Sequence, residues 1–217
     1  MDRIERLCAF LDKCATFADV ACDHGYCAKY MLDNGLCERA VISDISEKSL
    51  SKARTLLSDY IESGACRAVC CDGLEKIADA DEVMIAGIGG EEILKILQNA
   101  YIPEKFVFQP MKNAERLRVY LLEKGCSIIA DDVFPDGKKY YFVIKGTRTG
   151  YKADYTEAQM EFGRDSLKNP VLKNYIQEEL AKKRGYLRRN LSEAAREEIL
   201  KGIRLLEDTL FEVIRNI

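Results

Sequence analysis

Apolar residues follow two alternating periods over the first 150 positions and a single period afterwards. Short apolar runs occur at Phe17–Ala21, Ala40–Ser43, Arg67–Cys71, Val83–Ala86 and Phe106–Phe108. They have the length and composition of buried strands. Between them, apolar side chains recur every three or four positions, the spacing of helices with one buried face. An amphipathic helix is expected over 1–15, with Ile4, Leu7, Cys8 and Leu11 on its inner face. Others are expected from the first run to about Asn34, from Ser46 (whose hydroxyl can cap it), over Glu91–Gln98 and over Ala114–Lys124, which Gly125 closes. The order then changes. Ser127–Val133 and Tyr140–Lys145 read as two more strands joined by PDGKK, and the pair Asp136-Gly137 is a hairpin signal. The pattern predicts seven strands, the last two antiparallel.

After Gly150 no strand pattern remains. Pro170 separates two helical stretches, and Leu172, Ile176, Leu180, Leu187 and Leu191 share a face. Ser192 can cap the next helix, in which Ile199, Ile203, Leu206, Leu210, Val213 and Ile217 alternate spacings of four and three. That is a heptad seam. Two helices joined at Asn190–Glu193 predict an antiparallel, coiled-coil-like hairpin, and the same seam offers the alternative of a weak dimer. The chain therefore divides at 1–150, an α/β domain, and 151–217, a helical tail.

The bulk numbers add constraints. The length of 217 residues suits one sizeable domain with an appendage, and 47% hydrophobic with 32% charged residues suits a soluble one. No apolar run reaches the ~18 residues of a membrane span, and the start, MDRIERLCAFLDKC, carries acids early, unlike a signal segment. Nine cysteines without framework spacing fit free thiols in the cytoplasm. With no CxxC pair and one histidine, His24, no metal site is expected. The net charge of −3 argues weakly against bulk nucleic-acid affinity, but its distribution is uneven. Residues 1–150 hold 20 basic and 24 acidic residues, and 151–217 hold 13 and 12. Lys182, Lys183, Arg184, Arg188 and Arg189 cluster in KKRGYLRR, a candidate phosphate-contacting surface or simply a solvated helix face.

Candidate chemistry lies at the strand ends. Asp19, Asp44 and Asp72 close or follow the first three runs, where an open α/β sheet binds its ligand. Asp44 can accept ribose hydroxyls or merely cap the helix after it. Asp72-Gly73 can meet an adenine amine or merely turn. The first turn, DVACDHG, has one glycine and two acids, not the GxGxxG that cradles a pyrophosphate. Its sign suits a cationic sulfonium and ammonium. Ala86-Gly87, opening AGIGG, permits close backbone approach to a ligand. The Pro-Pro-aromatic loop of exocyclic-amine methyltransferases is missing at this point.

The runs ADVACDHGY, SDIS, CCDGL, IAGIGG, FQPM and GKKYYFVIK, taken in order, resemble the bacterial tRNA (adenine-22 N1)-methyltransferase family. The resemblance covers roughly residues 1–150. Departures are Ala21 for the usual glycine, Cys22 for a small hydroxyl residue, no proline in Cys27-Ala28-Lys29, and Phe142 where glutamate is frequent. The resemblance implies a Rossmann-like class I methyltransferase sheet, S-adenosylmethionine as cofactor, and tRNA as partner. It implies cofactor contacts at Asp19, Ala21, Asp44, Ile45, Asp72, Gly73, Ala86 and Gly87. Asp23 and His24 become the catalytic candidates. Tyr26, Gln109 and Pro110 become walls for the target base, with Lys182, Lys183, Arg184, Arg188 and Arg189 contacting RNA. Two other readings stand beside it: a class I methyltransferase with another substrate, and a non-catalytic RNA-binding module that retains the cofactor pocket.

Overall fold

A computed structural model describes residues 3–78, 80–151 and 153–217. In chain order its elements are α1 (Arg3–Cys8), β1 (Cys14–Val20), α2 (Tyr26–Asp33), β2 (Cys37–Asp44), α3 (Glu47–Leu56), α4 (Ser58–Glu62), β3 (Cys66–Cys70), β4 (Glu82–Ile88) and α5 (Gly90–Asn99). Then follow β5 (Lys105–Pro110), α6 (Ala114–Glu123), β6 (Ser127–Asp136), β7 (Lys139–Thr147), α7 (Glu157–Phe162), a 3-10 turn (Ser166–Lys168), α8 (Pro170–Tyr186) and α9 (Glu193–Asn216). The seven strands form one sheet in the order β3-β2-β1-β4-β5-β7-β6. Pairings from β3 through β5 are parallel, while β7 is antiparallel to both β5 and β6. The terminal hairpin read from the sequence is present. Its two-residue loop is Gly137-Lys138, one position later than expected, because Asp136 still pairs with Lys139.

Alternation along each strand divides the core into two layers. Phe17, Ile42, Met84, Val107 and Val143 face α1, α2 and α3. Ala18, Val41, Val83, Ile85, Phe106, Phe108 and Ile144 face α5 and α6. Covering both faces explains why the parallel strands read as nearly unbroken apolar runs. The first helix is shorter than the sequence suggested. It ends at Cys8 because Cys14 already pairs with Cys37 in the sheet. Residues 1 and 2 of that expected helix lie outside the described residues.

The tail helices fold back on one another, as α8 and α9, and bury Leu172, Ile176, Leu180, Ile203, Leu206 and Val213. The heptad seam is therefore used largely within the chain. Leu191 falls in the connection, and Ile217 is exposed. Ser192 caps α9 by accepting from the Ala195 amide. A buried ionic knot ties the tail to the sheet. Arg118 of α6 is fully buried, and its Nε lies 2.9 Å from each oxygen of Asp131 in β6. Its Nη1 donates to the carbonyls of Met160 and Glu161 in α7. The Asp131 amide donates to Asp165, and Arg164 donates to the carbonyls of Ile128 and Ile129. Burial pushes the Asp131 carboxyl up, and Arg118 opposes that shift. Removing one partner of such a pair is far costlier than never having made it. No helix of the described residues is long and apolar enough to cross a membrane.

Candidate active site

Strand order reverses at β1 and β4, so their carboxyl ends diverge and leave a cleft, the place where open α/β sheets bind ligands. The cleft encloses about 730 Å³. Its floor is Asp19, Ala21 and Cys22 from the end of β1, with Ala86 and Gly87 from β4. Asp44 and Ile45 form one side, Asp23, His24 and Tyr26 the mouth. A smaller cavity of about 300 Å³ shares Ala21, Asp44 and Ile45 and continues to Asp72 and Gly73. The eight residues expected to meet a cofactor thus all line one of these two connected spaces.

Local folding fixes each of them. Asp19 is buried, and its carboxylate accepts from the Ala28 amide, satisfying a donor at the start of α2 that Gly25 has no side chain to cap. Burial pushes the Asp19 carboxyl up to about 7, the Ala28 amide pulls it down and the nearby Asp44 charge adds to the rise. Asp44 accepts from the amides of Asp23 and Ser46, so the same carboxylate that stands in the cleft also pins both adjacent turns. Helix α3 is capped by Ser46 itself. Ala21 and Asp23 both hold positive φ, 57° and 46°. The first turn keeps the left-handed shape that glycine favours although alanine occupies it. Gly87 also has φ of 81°, at an irregularity in the β4–β5 pairing that opens the floor. Gly90 serves packing instead: a Cβ there would lie 2.4 Å from the Asn113 carbonyl oxygen.

At the mouth, Asp23 Oδ1 lies 2.9 Å from Lys52 Nζ and its Oδ2 2.7 Å from His24 Nδ1. The Lys52 ammonium holds the Asp23 carboxyl below its usual range. His24 stacks on Tyr26, with ring centroids 5.2 Å apart and planes 6° from parallel. Tyr26 is half exposed, so this pair offers a flat shelf beside the cleft. Ile45, 70% exposed, presents an apolar face between the two cavities.

Two charged cleft residues were not found by sequence reasoning. Arg3 of α1 lines the wall nearest Gly87, its guanidinium 5.1 Å from the Tyr141 ring centre. Its Nε is buried and has no hydrogen-bond partner among the described residues. Among the described residues that line the cleft it is the one Lys or Arg, beside the acids Asp19, Asp23, Asp44 and Asp136. Asp136 was read only as a turn residue, yet the hairpin carries it to the cleft rim. Nothing in the spacing of either residue signalled this, because α1 and the end of β6 meet at the cleft only in the folded chain.

Other expected residues lie elsewhere. Gln109 and Pro110 are buried at the end of β5 and do not line the cleft. The Gln109 carboxamide reaches Met111 Sδ at 3.5 Å. The basic cluster sits on the last turns of α8 and beyond. Lys182 pairs with Glu179 and Arg184 with Glu207. Lys183 lies against Gly202, and Arg189 stacks over Tyr186. Arg188 has no carboxylate partner among the described residues. Phe142, the departure from the family pattern, lies far from any ligand role: its ring packs on Arg118 and Tyr175 at the tail interface.

With this geometry in place, the chain can be set beside known proteins. Residues 1–144 match a family model described as a methyltransferase domain. The chain is 31% identical to "Putative tRNA methyltransferase" of Mycoplasma pneumoniae, over 68% of this chain and 70% of that one. It is 24% identical to the tRNA (adenine(22)-N(1))-methyltransferase of Bacillus subtilis, over 74% and 70%. Its fold is similar to the M. capricolum TrmK structure in complex with S-adenosyl-homocysteine, with TM-score 0.88, 22% identity and coverage of 97% of both chains.

Proposed function

This chain belongs to the methyltransferase-domain family, and on that premise we propose that it transfers a methyl group from S-adenosylmethionine to N1 of an adenine in tRNA, at the position 22 named for a relative. The observation that carries the cofactor reading is the charge pattern of the cleft. Four carboxyl side chains and one guanidinium line the cleft, with Lys52 pairing Asp23 at the mouth. A nicotinamide dinucleotide brings two phosphates, which this acidic excess opposes. A zwitterionic amino-acid sulfonium matches both signs.

The residues present fit that group. Arg3, with its unpartnered buried Nε, would take the carboxylate of the methionine portion. Asp19 would take the ammonium, Asp44 the ribose hydroxyls, and the exposed Ile45 one face of the purine. Asp72 and Gly73 border the adjoining cavity that would receive the purine edge. Bound there, the cofactor supplies an electrophilic methyl on a sulfonium.

The rest is done by the chain. Adenine N1 has a free lone pair at neutral pH, so no strong base is needed, and alignment supplies much of the rate. The adenine must leave its stack to reach the cleft. The His24–Tyr26 shelf gives it a surface to rest on. Methylation leaves positive charge on the ring, which the Asp23 carboxylate, held by Lys52 and His24, stabilises as it develops. A cytoplasmic setting is part of the same proposal, and the nine cysteines without a disulfide are consistent with it.

The test is methyl transfer to bulk unmodified tRNA followed by nucleoside analysis. The expected product is N1-methyladenosine, with Asp23→Asn slowing single-turnover transfer about 10-fold or more while cofactor binding holds. Methylation found at another atom would support the second reading, a different substrate. Calorimetry showing no affinity for the cofactor would overturn both.

A further inference from the structure

The tail touches the sheet at two separate heights, and the second contact has no role in the chemistry above. The lower one is the Arg118–Asp131 knot, extended by Asn169 at the start of α8, whose amide donates to Asp132 and to the Val133 carbonyl. The upper one is on the β6–β7 hairpin. The Tyr140 hydroxyl donates to Glu178 Oε1 at 2.7 Å. Beside it, the Tyr175 ring meets Tyr140 and Phe142 edge-on, each at 5.3 Å. The Glu178 bond is strong enough to push the Tyr140 hydroxyl up to about 12.

Register gives the direction of the tail. Val133 pairs with Phe142, and Pro135 with Tyr140, so α8 climbs from mid-sheet toward the hairpin tip as it runs from Asn169 to Glu178. That tip stands past the carboxyl ends of the parallel strands. Phe108 near the end of β5 already pairs with Ile144, four residues below Tyr140, which is about 13 Å. The remaining turns of α8, with Lys183 and the residues leading to Arg188, therefore project about 12 Å further, past the carboxyl end of the sheet. The two pins are separated by nine helical residues, about 13 Å, and the free arm is nearly as long again.

We propose that the Tyr140–Glu178 contact sets the tilt of the tail relative to the cleft, which makes Tyr140 a positioning residue for RNA methylation. This rests on the reading that the tail holds tRNA. The reason is leverage. A rod held only at its base pivots, and the far end moves most. A rotation of a few degrees over ~25 Å shifts the arm by one to two ångströms, and a misplacement of about 1 Å at the reacting atoms can cost on the order of 100-fold in rate. The knot lies at the base of the tail, so it governs the far end less than a bond nine residues further along α8.

The experiment uses the full chain. Tyr140→Phe keeps the ring against Tyr175 and deletes the bond, while Glu178→Gln keeps an acceptor. Single-turnover transfer to unmodified tRNA, tRNA affinity and cofactor affinity are measured for each. The expected result for Tyr140→Phe is a transfer rate lowered about 3- to 10-fold, with both affinities within about twofold of the parent. Glu178→Gln should stay near the parent. If Tyr140→Phe transfers at the parent rate, the positioning role is wrong. A fall of tRNA affinity in step with the rate also overturns it, since that marks a binding role. Arg188→Glu is run in parallel: if it leaves tRNA affinity unchanged, the reading of the tail has failed, and that failure is distinct from the outcomes above.

Discussion

Asp19 does two incompatible jobs, and its proton reconciles them. It is buried, which favours the neutral acid, and it lines the cleft where the proposed function sets a cationic ligand, which would favour the carboxylate. With its ionisation held up to about 7 by burial, it is largely protonated in the free protein at pH 6. Binding an ammonium must then release that proton, so cofactor affinity should rise as pH increases from about 6 to 7, before deprotonation of the amino group itself, at about 7.7–8.0, offsets the gain. Calorimetry across that window checks it, and Asp19→Asn should give a flat profile. A parent profile as flat as the variant's would remove Asp19 from the ammonium site. Ala21 offers a second check at this scale. Its φ of 57° costs alanine about 1–2 kcal/mol, and glycine loses only part of that gain through its freer unfolded chain. Ala21→Gly should stabilise the fold by about 0.5–1 kcal/mol. Urea unfolding of the two proteins would settle the point, and a destabilised variant would show that the turn is not strained.

At the scale of elements, most of the fold was legible in the sequence because strands buried on both faces and helices buried on one leave different periods. The seven strands, the closing hairpin and the helical tail follow from that. What failed did so for local reasons. The first helix was drawn too long because Leu11 continues its spacing, though Cys14 is already claimed by β2. In the site, Asp44 and Asp72 were legible because strand ends are predictable. Arg3 and Asp136 were not, since an arginine in a first turn and an aspartate in a hairpin look ordinary until the fold brings α1 and the end of β6 to one cleft. Arg118 was equally silent, one charge among several on an amphipathic helix. The foot of β4 hides a similar case. Glu82 is fully buried, and burial pushes its carboxyl up to about 7 although one oxygen accepts the Asp12 amide. A carboxyl whose folded value lies above its unfolded one stabilises fully below the unfolded value, about 4.5, and that contribution is lost as pH rises through 7. Glu82→Gln keeps an acceptor for Asp12 and removes the loss. The variant should match the parent near pH 4.5 and exceed it at pH 8 by on the order of 1–3 kcal/mol. Equal unfolding midpoints at pH 8 would refute this.

For the whole molecule, the question is how a chain of net charge −3 engages a polyanion. The answer lies in where its cations remain free. Within the basic cluster, Lys182 and Arg184 are drawn into pairs with Glu179 and Glu207. The Arg184 pair bridges α8 to α9, so reversing its charge would disturb the hairpin and confuse the reading. Arg188 and Arg189 lie just past the end of α8, Arg189 lying over the half-exposed Tyr186 ring. They are the better test. Phosphate contacts release counterions, and each one removed lowers the slope of log affinity against log salt by about 0.7–0.9. The double variant Arg188→Glu, Arg189→Glu should weaken tRNA binding severalfold and flatten that slope by roughly one to two units. Cofactor affinity should not change, because neither arginine lines the cleft. Filter binding across a salt series, with calorimetry on the same preparations, measures both. A double variant that keeps the parent's slope would leave the tail a structural element, and the tRNA would then have to be held by the α/β domain alone.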